Sequence, residues 1–151
     1  MPQYLDLYFL VDNRKTSTIR DFFNNYAFIK KELADEYPIP QFSDFIYQTF
    51  YSDNHLLKYL EGRVDCDYII YWQNLNERSD IYQFMVQYTN DGKMIVGITV
   101  KGTEPSDTKV TSTFKEMKDY FNAYFGCITS EEAPPETSEA FKQFCRIRYS
   151  R

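Results

Sequence analysis

Residues 81–100, IYQFMVQYTNDGKMIVGITV, constrain this chain more than any other stretch. Two runs of strand-forming residues flank Asn90-Asp91-Gly92, a trio that tolerates the positive φ a tight reversal needs. The pattern predicts an antiparallel hairpin. Tyr82, Phe84, Val86 and Tyr88 alternate onto one face; Ile81, Gln83, Met85 and Gln87 alternate onto the other. Neither face is cleanly polar. A strand with apolar groups on both sides must be covered on both sides. Helices are expected on one face. Residues 37–62, or another chain, are expected on the other.

The rest of the chain supplies material for that cover. Residues 4–11, YLDLYFLV, alternate as a strand, with Leu5, Leu7, Phe9 and Val11 facing one way. Ser17 or Thr18 is placed to cap a helix whose stripe runs Ile19, Phe22, Phe23, Tyr26, Ile29, Leu33 and stops before Pro38. Phe42, Phe45, Ile46 and Phe50 suggest a short helix. HLLKYLE suggests a second, capped by Asn54 and closed by Gly62.

VDCDYIIYW, residues 64–72, reads as another strand: Val64, Cys66, Tyr68, Ile70 and Trp72 on one face, Asp65, Asp67, Ile69 and Tyr71 on the other. Residues 101–112 read as a loop, and Thr113 with Glu116 as a capping box for a second long helix ending at Gly126. CIT, from Cys127, adds a short strand. Residues 130–138 read as an acidic, proline-containing surface linker before a C-terminal helix or edge strand. Together these predict one α+β domain over residues 1–151, with a mainly antiparallel sheet of four or five strands and helices packed on it.

Composition narrows the function classes. Acidic residues outnumber basic ones 22 to 17, for a formal charge of −5. A net acidic chain without a basic stripe is a poor nucleic-acid binder and gains nothing from an anionic membrane. The one basic-aromatic stretch is the tail: Phe141, Lys142, Phe144, Arg146, Arg148, Tyr149 and Arg151. It is short and reads as ordinary solvated cations. Three widely spaced cysteines, Cys66, Cys127 and Cys145, with no CxxC and no signal-like start, read as reduced thiols in the cytoplasm.

Tyrosine is the unusual residue, at 14 copies beside 13 Phe and one Trp. Each hydroxyl needs a partner or water, so some tyrosines belong at the surface, where they favour interfaces.

Catalytic chemistry finds little footing. His55 is the single histidine, placed at a helix start with no nucleophile at a recognisable spacing. No phosphate-binding loop, dinucleotide fingerprint or nucleophile elbow occurs. No cofactor is expected. Asp65 and Asp67, two apart on a predicted strand, are the only paired carboxylates that suggest a metal or an acid–base pair.

The block DYIIYWQNLNERSDIYQFMVQYTNDGKMIVGITV carries a resemblance. A strand ending in the aromatic pair Tyr71-Trp72, a polar loop, and a hairpin ending in Asp91-Gly92-Lys93-Met94-Ile95-Val96-Gly97 resemble the central segment of small bacterial immunity-type proteins. The later helix and the segment Glu131–Pro135 are similar too, so the resemblance spans residues 67–135. It implies a non-enzymatic protein that binds and blocks a cognate toxin, commonly a basic one. The expected partner-binding residues are Tyr68, Tyr71, Trp72, Tyr82 and Tyr88, with Glu61, Asp65 and Asp67 as the acidic contacts. The alternatives are a homodimer through the second sheet face, and a small enzyme or metal-binding module using Asp65 and Asp67.

Overall fold

The structure is a computed structural model that describes residues 3–148 and residue 150; Tyr149 and Arg151 of the tail lie outside the described residues. Its main sheet has six strands: β1 (Tyr4–Val11), β2 (Lys30–Glu32), β5 (Tyr68–Asn74), β6 (Ile81–Tyr88), β7 (Met94–Lys101) and β8 (Gly126–Thr129). They lie in the order β2-β5-β6-β7-β1-β8, every neighbouring pair antiparallel. β3 (Tyr37–Ile39) and β4 (Gln48–Phe50) form a separate two-stranded ribbon. The helices are α1 (Thr16–Tyr26), α2 (Asp53–Glu61), α3 (Thr108–Tyr120) and α4 (Ser138–Arg146). The fold is α+β, with helices packed on an antiparallel sheet.

The hairpin forms as its sequence demands. Gly92 sits at φ +89°, and Thr89 N donates to Lys93 O at 3.0 Å. One face of the sheet carries Leu7, Phe9, Ile70, Trp72, Phe84, Tyr88 and Ile98 into the larger core. There they meet Ile19, Phe22 and Phe23 of α1, Leu56, Leu57 and Leu60 of α2, and Val110, Phe114 and Met117 of α3. Phe23 meets Trp72 edge-on at 4.9 Å, and Trp72 stacks on Phe84 at 5.6 Å. The Trp72 indole N–H donates to Asp53 Oδ2 at 2.9 Å, so the buried ring leaves no polar group unpaired.

Residues 37–62, one of the two expected covers, do not take the second face. Tyr37, Ile39 and the α2 leucines, all within residues 37–62, pack into the helix-side core instead. The tail supplies the cover. Phe141 and Cys145 of α4 join Tyr8, Leu10, Met85, Ile95 and Cys127 in a smaller core. Residues 130–138 are thereby a strap rather than a free linker. Gln87 donates to the carbonyls of Pro134 and Pro135, and Asp91 accepts from Ser138 N at 3.1 Å and from its hydroxyl. Glu132 holds Arg148 and the Thr129 hydroxyl, and Tyr8 donates to the Glu132 carbonyl at 2.7 Å.

Several local expectations yield to tertiary pairing. The first helix ends at Tyr26, because residues 30–32 pair with Trp72–Asn74 as an edge strand. Ile29 and Leu33, assigned to the helix stripe, are exposed. Helix periodicity gave way to a sheet edge needing a neighbour. The α1 N-terminus is held from outside: Glu61 accepts from Thr16 N, and Asn13 Oδ1 accepts from Lys15 N at 2.8 Å.

The stretch around Phe42, Phe45 and Ile46 is a loop, not a helix, and Ser52 rather than Asn54 caps α2. α3 begins at Thr108 with Asp107 as its cap, a turn and a half before the predicted capping box. A bulge between Ile81 and Gln83 breaks the hairpin alternation. Ile81 therefore joins the helix-side core, while Tyr82 is pushed out beside Tyr4, ring centres 4.8 Å apart.

Two residues are central to the packing. Arg14 is buried, and its guanidinium donates to the carbonyls of Leu60, Arg63, Cys66 and Thr89, with Lys93 O at 3.5 Å. It thus ties the end of α2, the approach to β5 and the hairpin turn together. Gly97 is a close approach: a Cβ there would lie 2.9 Å from Met85 Cε and 2.9 Å from two ring carbons of Tyr8.

Candidate protein-binding surface

β2 pairs with β5 only at Trp72–Asn74, and Leu33 N then reaches the Tyr71 carbonyl at 3.3 Å. Among the described residues, no strand pairs with the outer edge of Tyr68–Ile70. A side chain stands there instead. Gln41 Nε2 donates to Ile69 O at 2.8 Å, and Gln41 Oε1 accepts from Ile69 N at 2.8 Å. The carboxamide reproduces what a neighbouring peptide unit would offer, and so satisfies an edge that would otherwise recruit another chain.

Gln41 leads the loop between β3 and β4, and this loop exposes its apolar residues. Phe42 is 91% exposed, Phe45 87% and Tyr47 67%. Phe42 sits at φ +60°, a left-handed conformation that costs a bulky residue on the order of 1–3 kcal/mol. The ring is held out over the β5 edge by backbone geometry, not by packing.

Three hollows adjoin here. One of about 300 Å³ lies between the loop, Leu33 and β5. A second, of about 240 Å³, lies between Phe42, Ile69 and the strap at Pro134. A third, of about 220 Å³, lies between the strap and the sheet at Tyr71, Gln83 and Asp6. Ile69 borders the first two, Tyr71 the first and third, and Ala133 the second and third, so the surface is continuous. Its charges are of one sign. Glu36, Asp67, Glu136, Asp6, Glu131 and Glu132 line the hollows, and among the described residues no lysine or arginine does. Glu132 is committed to Arg148, which holds its carboxyl down at about 2. Burial raises the Asp6 carboxyl, against the hydrogen bond at 2.8 Å from Thr99. Burial raises the Tyr71 hydroxyl too, helped by the nearby Asp6 charge.

The predicted site residues divide. Tyr71 and Tyr82, 40% and 42% exposed, are accessible on the second face, and Glu61, Asp65 and Asp67 are exposed. Asp67 lines the surface directly, whereas Glu61 is engaged with the α1 N-terminus. Tyr68, Trp72 and Tyr88 are corrections: at 4%, 0% and 0% exposure they belong to the helix-side core. Their alternation faces α1 and α2, and burial pushes the Tyr68 hydroxyl up to about 12. Asp65 and Asp67 do not share a strand face, because β5 begins at Tyr68 and Asp65 lies in a turn.

Gln41, Phe42 and Asp6 were missed. Phe42 reads as part of a short helix and Gln41 carries no signal of its own; only the tertiary fold puts a lone Gln against a strand edge.

Other chemistry is sparse. The Ser52 hydroxyl lies 2.9 Å from His55 Nδ1, but it is the α2 cap and also accepts from His55 N at 3.4 Å. Among the described residues, no three His, Cys, Asp or Glu side chains are grouped to hold a metal ion. No helix among them is long and apolar enough to cross a membrane. In comparisons with known proteins the chain matches no family model, no curated protein and no solved structure.

Proposed function

We propose that this chain is a non-catalytic protein-binding protein, most concretely an immunity-type inhibitor that binds and blocks a basic toxin domain. The observation carrying this reading is the continuous surface around Ile69 and Tyr71, aromatic in its exposed groups and lined by carboxylates of which, among the described residues, only Glu132 is paired with a cation. Half-exposed tyrosines and outward phenylalanines give contact area at small cost in side-chain freedom. One-signed charge speeds encounter with a basic partner and fixes register.

Calorimetry against the product of the adjacent upstream gene, at low and high salt, tests the reading. Tight 1:1 binding, with salt-weakened association, is expected. A folded neighbour that does not bind removes the inhibitor assignment. The exposed loop aromatics also suit a homodimer, and sedimentation of the isolated chain separates the two: the inhibitor reading expects a monomer.

A further inference from the structure

The edge of a sheet offers its unpaired N–H and C=O groups to any extended chain that reaches them. At Ile69 those two groups point away from β6 and are held only by the Gln41 carboxamide. We infer that the outer edge of β5 at Ile69 is a strand-addition site for an extended, basic segment of a partner protein, with Gln41 as its resident placeholder. The inference rests on the protein-binding reading and names how that surface engages its partner.

Three observations favour this occupant. An extended backbone presents one donor and one acceptor from a single residue, which is what the Gln41 amide now supplies to Ile69. On one side of Gln41 the hollow of about 300 Å³ has Leu33, Tyr71 and Phe42 in its walls, room for apolar side chains of an added strand. The carboxylates beside it, Glu36 on that side and Asp67 with Glu136 on the other, have no cation among them in the described residues. A second copy of this chain is disfavoured by the same charges, since pairing two β5 edges would bring both sets of carboxylates together.

Release of Gln41 is inexpensive. It exchanges two side-chain hydrogen bonds for two backbone ones, and it lies in an irregular loop rather than in a strand. Phe42, already outward, borders the hollows on both sides of the incoming strand.

The test is nuclear magnetic resonance of the full-length, nitrogen-labelled chain with a blocked nine-residue peptide alternating Lys or Arg with Val and Thr. A peptide with Glu at every basic position is the control. The basic peptide is expected to move the Ile69 and Tyr71 amide signals saturably, less so in high salt, while the acidic one leaves them in place. Gln41→Ala removes the competitor and should tighten binding by roughly three- to tenfold, about one net hydrogen bond. Gln41→Glu, which cannot donate to the Ile69 carbonyl, should tighten it as well.

Shifts confined to other residues, or none at Ile69 in either the parent chain or the variants, overturn the inference. Concentration-dependent shifts at Ile69 without peptide would assign the edge to a second copy and overturn the basic occupant. If the upstream gene product binds while protecting a different surface, the strand-addition inference alone falls. If neither it nor the peptide binds, the protein-binding reading falls with it.

Discussion

The guanidinium carbon of Arg14 stands 5.3 Å above the centre of the Tyr88 ring, and both residues are buried. Among the described residues no carboxylate pairs with this cation directly; main-chain carbonyls carry the compensation. The Leu60 carbonyl is at the C-terminal end of α2, where the helix dipole favours positive charge. Arg14→Ala strands several buried acceptors at once and should cost about 3–5 kcal/mol. Arg14→Lys should recover only part of this, because an ammonium cannot fork across the same carbonyls. Urea unfolding of the two variants checks both; equal stability of Arg14→Ala and the parent would refute the staple.

Gly97→Ala should destabilise by about 1–3 kcal/mol, since the new methyl meets Tyr8 and Met85 in a packed core. Combined with Tyr8→Ala, the loss should be smaller than the sum of the two single losses, because the second change removes the Tyr8 part of the clash. Thermal melts of the two singles and the double measure this coupling.

The tail clamp should respond to acid. Arg148 and then Thr129 hydrogen-bond the Glu132 carboxylate and hold it at about 2, below its ordinary 4.5. A depressed carboxyl stabilises the fold fully above its unfolded value and loses that contribution as pH falls through the folded one. The clamp should therefore hold above about pH 4.5 and loosen between there and about pH 2. Protection of the α4 amides against hydrogen exchange, relative to the intrinsic rate at each pH, should fall as pH drops across that window in the parent chain. In Glu132→Gln this dependence should flatten.

Surface and core tyrosines should separate in a binding experiment. Tyr71→Ala should leave stability within about 1 kcal/mol and weaken partner binding by about 1–2 kcal/mol or more. Asp67→Lys should slow association and reverse the sign of its salt dependence at that position. Tyr88→Ala should instead unfold the chain readily, at about 3–5 kcal/mol, since its ring is fully buried. Surface plasmon resonance beside denaturant melts distinguishes these. If Tyr71→Ala binds as well as the parent, the proposed surface is wrong.

The sequence by itself determined the elements whose signals are local. The 81–100 hairpin follows from alternation and from Gly92, which must sit at positive φ. β1, α2 and the apolar face of α1 follow from period and position. Exposure of Asp65 and Asp67 was legible too, because an unpaired carboxylate is too costly to bury.

Tertiary structure alone decided the remainder. Residues 30–32 left the helix because β5 needed an edge partner, and the bulge at Ile81–Gln83 turned Tyr82 outward against the strand period. Tyr68, Trp72 and Tyr88 are aromatic like Tyr71 and Tyr82, yet three are core and two are surface. That difference depends on which sheet face the helices cover, a long-range fact. The Arg14 staple and the Gln41–Ile69 pair join residues 28 to 79 apart in the chain. No local pattern marks such contacts, because the groups they satisfy come together only when distant segments pack.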